Sequence, residues 1–393
     1  MPIQHAIDQP APIGRQPIQG RVTRIQLSRF RSYAAGDLRP EASLVALVGP
    51  NGAGKTNVLE ALSLLTPGRG LRRATLSEIA SDQGDGGWAL NATVEAAYGE
   101  TMLGTGIEGG EEEARTRICR IDRVPVGSAA AFAEHIRVVW LTPAMDGLFL
   151  GSGGERRRFL DRLVLAVDAE HGSRVNALER SLRARNRLLE EPAPDPAWLE
   201  AVEHETAELA VAVAAARAET VRRLAGLIEA TKDPASPFPW AALALDGAVE
   251  NAVLERPALE VEDDYRAVLR ANRNRDRAAG RTTEGPHLTD LQAVHGPSGS
   301  PAERCSTGQQ KALLVGLVLA HARLVAEMAG FTPLVLLDEV AAHLDPERRA
   351  ALYDALEALG AQVWMTGADP QAFDSLRTRA DIFAVVPGTI SRA

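Results

Sequence analysis

The run Ser43–Val48 (SLVALV) is apolar almost throughout, the pattern of a strand covered on both faces. Ahead of it, within Arg21–Leu27, Ile25 and Leu27 alternate with Arg24 and Gln26, which predicts a half-buried strand. After GPNGAGKT, helical periodicity begins and holds over Asn57–Leu65. From Trp88 to Val126 short strand patterns alternate with turns, and Gly106–Glu113 (GIEGGEEE) reads as a solvated hairpin tip. Val138–Leu141 predicts another buried strand. The character then changes. Glu155–Glu191 and Pro196–Thr231 are long helical patterns rich in Ala, Leu, Arg and Glu. Glu190–Pro196 (EEPAPDP) between them cannot be helical throughout. The pattern predicts an αα-hairpin with arms roughly 50 Å long, at 1.5 Å per residue. Strand patterns return near Ala241–Leu245. A basic segment follows, then an apolar helix beginning after Ser306, then TPLVLLDEV and AQVWMTG, two further apolar strands.

This order predicts an α/β fold: one phosphate-binding head split in sequence, with a helical arm lobe inserted between its halves. The expected divisions are a flexible extension at 1–19, the first half of the head at 20–154, the arm at 155–235 and the second half at 236–393. Pro2, Pro10, Pro12 and Pro17, with no apolar block among them, make the opening an extension and not a signal peptide.

GPNGAGKT comprises Gly49, Pro50, Asn51, Gly52, Ala53, Gly54, Lys55 and Thr56 and fits G-x-x-x-x-G-K-[ST] between a strand and a helix. Glycines let backbone N–H groups close on a phosphate, and the helix N-terminus adds positive character. Lys55 is expected on the β- and γ-phosphates of ATP, and Thr56 on Mg²⁺. LVLLDE (Leu334–Glu339) is an apolar strand delivering two acids to its C-terminal end. Asp338 is the expected second metal residue, and Glu339 the base that polarises the attacking water. The third motif, Ser306-Thr307-Gly308-Gln309, is a capped helix start with a glycine that leaves the backbone approachable. One nucleotide has no use for two phosphate cradles in the same chain. The motif therefore points to closure, in trans, on a nucleotide held by a second copy, so that ATP joins a homodimer.

Together GPNGAGKT, STGQQK and LLDEVAAHLD resemble the ABC-type ATPase heads of the structural-maintenance-of-chromosomes (SMC) class. RFRSY, GPNGAGKTNVLEALSLLTPGRGLR, GSGGERRRFLD and GRTTEGPHLTDL are closer to one branch of it, the RecF family of bacterial recombination and repair proteins. The resemblance implies an ATP-dependent DNA-binding protein at gapped, single-stranded or double-stranded DNA. It also implies slow ATP hydrolysis, partners RecR and RecO, help in loading RecA, and a role in replication and the SOS response. It puts Asp345 in the loop that meets the partner subunit. It gives Thr366 the γ-phosphate-sensing place where such heads usually carry histidine. In GPHLTDL, Leu288-Thr289-Asp290 replaces the usual basic-acidic-acidic continuation.

Composition narrows the class without choosing the pathway. A hydrophobic fraction of 45% and a charged fraction of 24% over 393 residues suit a soluble globular protein. The apolar run Ala312–Ala320 ends at His321 and Arg323, too short by itself to cross a bilayer. Cys119 and Cys305, with no CxxC spacing, read as free thiols of a reducing cytoplasm. The net charge of −9 argues against indiscriminate nucleic-acid binding, so charge placement matters more than its sum. Arg270, Arg273, Arg275, Arg277 and Arg281 are the densest basic cluster and the expected DNA contacts. Arg156–Arg158 and Arg180, Arg183, Arg185 and Arg187 on or near the arm are a second set, which a solvated helix face would equally explain. An ABC-type subunit for transport or chromosome organisation is the alternative. The arginine-bearing arm, the missing histidine and the lack of a membrane segment oppose transport, and the arm length opposes a long coiled-coil organiser.

Overall fold

The computed structural model describes residues 18–81, 84–96, 99–110, 116–340 and 344–393. Most of the expected N-terminal extension (1–17), the end of the expected hairpin tip (111–113) and residues 341–343 of LLDEVAAHLD lie outside the described residues.

The first half of the head runs through β1 (Ile18–Gln19), β2 (Arg21–Phe30), β3 (Tyr33–Leu38) and β4 (Leu44–Val48) to α1 (Lys55–Ser63) and α2 (Leu76–Ile79). Strands β5 (Trp88–Ala96), β6 (Gly99–Ile107), β7 (Ile118–Ile121), β8 (Val124–Val126) and β9 (Val138–Leu141) follow. The helical arm is α3 (Gly153–Val167), α4 (His171–Glu190) and α5 (Pro196–Thr231). Then come β10 (Ala241–Asp246), α6 (Ala248–Glu255), α7 (Ala258–Ala271), α8 (Arg273–Ala279), β11 (Asp290–His295) and β12 (Ser300–Pro301). The chain closes with α9 (Thr307–Ala329), β13 (Phe331–Thr332), β14 (Leu334–Leu337), α10 (Pro346–Ala358), β15 (Val363–Gly367), β16 (Ala380–Val386) and β17 (Thr389–Arg392).

Two six-stranded sheets build the head. One has the order β17-β16-β4-β15-β14-β9, parallel except for β17; the other is antiparallel, β3-β2-β5-β6-β7-β8. Side chains alternate across a strand, so an unbroken apolar run needs cover on both faces. In β4, Leu44, Ala46 and Val48 enter the core shared with α3, α5 and α9, while Val45 and Leu47 enter the core under α1 and the antiparallel sheet. The parallel order brings the C-terminal ends of β4, β15 and β14 side by side, although their sequences lie some three hundred residues apart. That edge carries the chemistry.

Helix α9 is capped at both ends. Ser306 and Gln309 form a capping box, and Gly330 stops the helix at φ 76°. It is the one described helix long and apolar enough to cross a bilayer, which corrects the expectation of a short apolar segment. Two thirds of its apolar window is buried, with Leu313, Leu314, Leu317 and Leu324 at 3% exposure or less. Each such leucine contributes about 1.5–3 kcal/mol of burial.

The arm departs from the expected hairpin in two ways. Glu155–Glu191 is two helices, broken at Asp168–Glu170, because the Asp168 carboxylate accepts the Glu170 N–H at 3.1 Å and ends the first helix locally. Helix α5 is continuous over 36 residues, about 54 Å. Residues 248–288, expected within the head, join the arm instead. Val249, Val261, Tyr265 and Leu269 pack with Leu178, Leu182 and the alanine-rich middle of α5. At the other end, Ile18 and Gln19, expected in the extension, pair as β1 with Phe331 and Thr332.

Candidate nucleotide site

The loop between β4 and α1 is shaped by two left-handed glycines. Gly52 (φ 80°) faces open space, so nothing obstructs approach to its backbone. Gly54 (φ 109°) sits so close to Ser32 and Tyr33 that a Cβ would lie 2.8 Å from either oxygen. Tyr33 Oη donates to Gly54 O at 3.0 Å and fixes the loop's exit. Lys55, 4% exposed, turns its ammonium onto the loop's own carbonyls, Gly49 O at 2.8 Å and Pro50 O at 3.0 Å.

Asp338 and Glu339 emerge from β14, beside β15 and Thr366. Thr56 Oγ1 donates to Asp338 Oδ1 at 2.8 Å, and Thr366 Oγ1 donates to the same oxygen at 2.8 Å. Thr366 also accepts the Glu339 N–H at 2.9 Å. Glu339 is held at φ 54°, a left-handed conformation unusual for a side-chain-bearing residue. The structure thus brings Thr56, Asp338, Glu339 and Thr366 together, as the order of the parallel sheet requires.

A cleft of about 130 Å³ opens here, lined by Asn51, Gly52, Gly54, Lys55, Thr56, Asn57, Arg72 and Glu339. Arg72 and Asn57 were not singled out from the sequence. Arg72 Nη1 donates to Asn57 Oδ1 at 2.7 Å and to Glu60 at 3.2 Å. Glu60 is fully buried and is also held by Arg31 at 2.6 and 2.9 Å. The signal was the second cation in GRGLRR, beyond the helix that follows the loop. The residues present fit a magnesium nucleotide. Positive-φ glycines leave the cradle open, and the adjoining Thr56 hydroxyl and Asp338 carboxylate are the hard oxygen donors this cation prefers.

Ser306, Thr307, Gly308 and Gln309 are exposed and do not line that cleft. A Cβ on Gly308 would meet nothing within 4 Å. The loop before them is fixed by the buried Gln310, whose Nε2 donates to Cys305 O at 3.0 Å. Asp345 caps α10 by accepting the Arg348 N–H at 2.8 Å and is likewise exposed.

The expected DNA arginines fare differently. Arg270 pairs with Glu200, Arg273 with the buried Glu203, and Arg275 with Glu284 at 2.8 Å; Arg277 donates to Leu189 O at 2.7 Å. Arg277 and Arg281 are both exposed and without an ion pair among the described residues, and of the two only Arg277 has a side-chain hydrogen bond, to Leu189 O. Arg185 is a core residue, 0% exposed, bound to Glu203, Asp276, Thr282 and Leu269 O. Arg156 pairs with Asp290 at 2.6 Å, and Arg157 donates to Thr289 O at 2.9 Å. Arg183 meets Glu179 at 3.8 Å, while Arg180 and Arg187 are exposed. Most of this charge is used inside the arm lobe, so the density of arginines along the sequence reflects its ion pairs.

Residues 21–391 match the model of the RecF/RecN/SMC N-terminal domain family. The DNA replication and repair protein RecF of Mesorhizobium japonicum is 53% identical over 376 residues, 95% of this chain and 98% of that protein. The protein of the same description from Brucella abortus is 49% identical over 381 residues, 96% of this chain and 98% of that one. Among solved structures, the recombination mediator protein RecF-ATPrS in the RecFOR pathway is similar with a TM-score of 0.82 and 20% identity, covering 96% of this chain and 100% of that one. An Smc head domain with an extended coiled coil from Pyrococcus furiosus reaches a TM-score of 0.51 at 16% identity, covering 95% of this chain and 96% of that one. With a family model over nearly its whole length and relatives about half identical from end to end, the chain belongs to the RecF family of the RecF/RecN/SMC class.

Proposed function

We propose that the chain is an ATP-switched, DNA-binding protein of replication and recombinational repair, working in the cytoplasm as a nucleotide-joined homodimer. What carries the reading is a division of labour. Gly49–Thr56, Asp338 and Glu339 make one cleft, while the exposed capped helix start Ser306–Gln309 stands outside it with its backbone accessible.

The nucleotide with Mg²⁺ would supply the phosphates that both surfaces recognise and the charge that opposes them. The loop N–H groups and Lys55 bind phosphate oxygens; Lys55 exchanges its contacts with Gly49 O and Pro50 O for them. Thr56 and Asp338 hold the metal, and Thr366 fixes the Asp338 oxygen that faces Thr56. Glu339, whose backbone is tied to the same threonine, orients a water as general base. Ser306, Thr307, Gly308 and Gln309 of one copy close on the γ-phosphate in the other copy's cleft, with Asp345 beside that contact. Hydrolysis then releases the pair.

DNA, whether gapped, single-stranded or duplex, is the proposed ligand of the joined form, and RecR and RecO are the proposed partners in loading RecA and in the SOS response. The test is DNA binding with and without ATP and Mg²⁺, for the wild type and Lys55→Ala. The reading expects ATP to strengthen binding by the wild type only. Equal, nucleotide-independent binding by both proteins would replace it with a passive scaffold.

A further inference from the structure

Where Arg270, Arg273 and Arg275 of the 270–281 cluster are neutralised, another group of arginines is not. Arg69 and Arg73 project from the loop after α1, and Arg158 and Arg162 lie four residues apart, on one face of α3. None of the four has an ion pair among the described residues. Arg73 links them: the charges of Arg158 and Arg69 act on it, and its own acts on Arg162. Two carboxylates stand near Arg73, Asp161 and Glu179, but both are engaged. Asp161 is held by Arg217 at 2.8 and 3.0 Å and by His171 at 2.8 Å, and Glu179 faces Arg183 at 3.8 Å.

Arg162 is the least satisfied. Its guanidinium packs 5.1 Å from the Trp140 ring centre and 4.9 Å from that of Phe159, and its nearest polar partner is the Met145 sulfur at 3.1 Å. Burial, and after it the charge of Arg73, push this guanidinium below the usual arginine range. Arginine keeps its proton at any physiological pH, so an anion at this half-buried guanidinium would be stabilising. The loop is built to present its side. Arg117 donates to Gly68 O at 3.0 Å and also binds Leu64 O, while Arg73 is held in the left-handed region at φ 58°.

We infer that Arg69, Arg73, Arg158 and Arg162 form a binding surface for the phosphodiester backbone of nucleic acid. Four cations on two elements exceed what one phosphate engages and suit a polyanion with phosphates at regular spacing. The surface adjoins the nucleotide machinery. Arg72, the residue before Arg73, lines the cleft, and Asp146, the residue after Met145, pairs with Lys311 near the start of α9 at 3.1 Å. The inference rests on the DNA-binding reading above and relocates its contacts.

The experiment uses the full chain carrying Arg69→Ser, Arg73→Ser and Arg158→Ser, all exposed positions outside the cleft. Anisotropy titrations with a fluorescent 40-base-pair duplex are run in ATP and Mg²⁺ across a salt series. Each lost phosphate contact flattens the slope of log Kd against log salt by about 0.9, so the triple variant is expected to lose about 2–3 in slope. It should also bind at least ~10-fold more weakly at 0.1 M salt, with affinity for a fluorescent ATP analogue unchanged. A variant with the slope and affinity of a DNA-binding wild type overturns the patch and leaves the repair reading standing. A wild type that binds no DNA overturns both.

Discussion

Thr366→Val tests the link between the two acids at the end of β14. The exchange keeps the shape of a fully buried side chain and removes its hydroxyl. Two bonds go with it: the 2.8 Å donation to Asp338 Oδ1 and the 2.9 Å acceptance from the Glu339 N–H. A hydrogen bond to a charged group is worth about 1.5–3 kcal/mol, and a buried N–H left unsatisfied costs about 1–3 kcal/mol. Glu339 also sits at φ 54°, where a side-chain-bearing residue is strained by about 1–2 kcal/mol. The bond from Thr366 is of the size needed to hold that conformation, so Glu339 relaxes when it is lost. If about 1.5–3 kcal/mol of positioning disappears from the transition state, hydrolysis falls roughly 10- to 100-fold. Nucleotide affinity should change little, because the side-chain hydrogen bonds of Thr366 run to Asp338 and Glu339 and not to the Gly49–Thr56 loop. Thr366→Ser, which keeps the hydroxyl, should hydrolyse near the wild-type rate. Phosphate release in the presence of DNA, beside equilibrium titration of an ATP analogue, reads both quantities. Valine within about twofold of wild type, or serine as slow as valine, refutes the reasoning.

Further outcomes follow from the same geometry. Lys55→Arg should keep the fold, since the loop is shaped by glycines and Tyr33, but lose nucleotide-dependent association on a sizing column. Arg185→Leu should destabilise the arm lobe by about 3–5 kcal/mol, because Glu203 and Asp276 stay buried with one partner fewer. Arg281→Ser should change stability by less than about 0.5 kcal/mol; urea denaturation followed by circular dichroism separates the two. His321 is fully enclosed, and burial pushes its imidazole down to about 4, below the ordinary 6.5. The unfolded chain therefore takes up this proton first as pH falls. The sign follows: stability is intact above about 6.5 and declines toward pH 4, by about 3 kcal/mol from this residue. His321→Gln should flatten that part of the denaturation profile.

The head was legible in the sequence because its signals are local. SLVALV is apolar for a strand buried on both faces, and GPNGAGKT and LVLLDE carry their chemistry within a few residues. The lobe boundary was less legible. Tyr265 and Leu269 belong to the arm because they meet Leu178 and Leu182, contacts about ninety residues apart that no window of sequence displays. The break at Asp168 was hidden because Glu, Ala and Leu on either side keep the helical period. Arginines were read least well. Arg270, Arg273 and Arg275 stand out in a linear scan, yet their carboxylate partners Glu200, Glu203 and Glu284 cancel them in space. Arg69 and Arg158, separated by almost ninety residues, look ordinary until the fold brings them to Arg73.

The central claim is that one nucleotide is held between two copies, the cleft of one meeting Ser306–Gln309 of the other. Sedimentation velocity of the wild type and of Ser306→Arg, each with and without ATP and Mg²⁺, tests it most directly, with nucleotide binding measured on the same samples. The account predicts that ATP doubles the mass of the wild type, whereas the Ser306 variant binds ATP and remains a monomer. A variant that doubles its mass as readily as the wild type, or a wild type that stays monomeric when saturated with ATP, would contradict it.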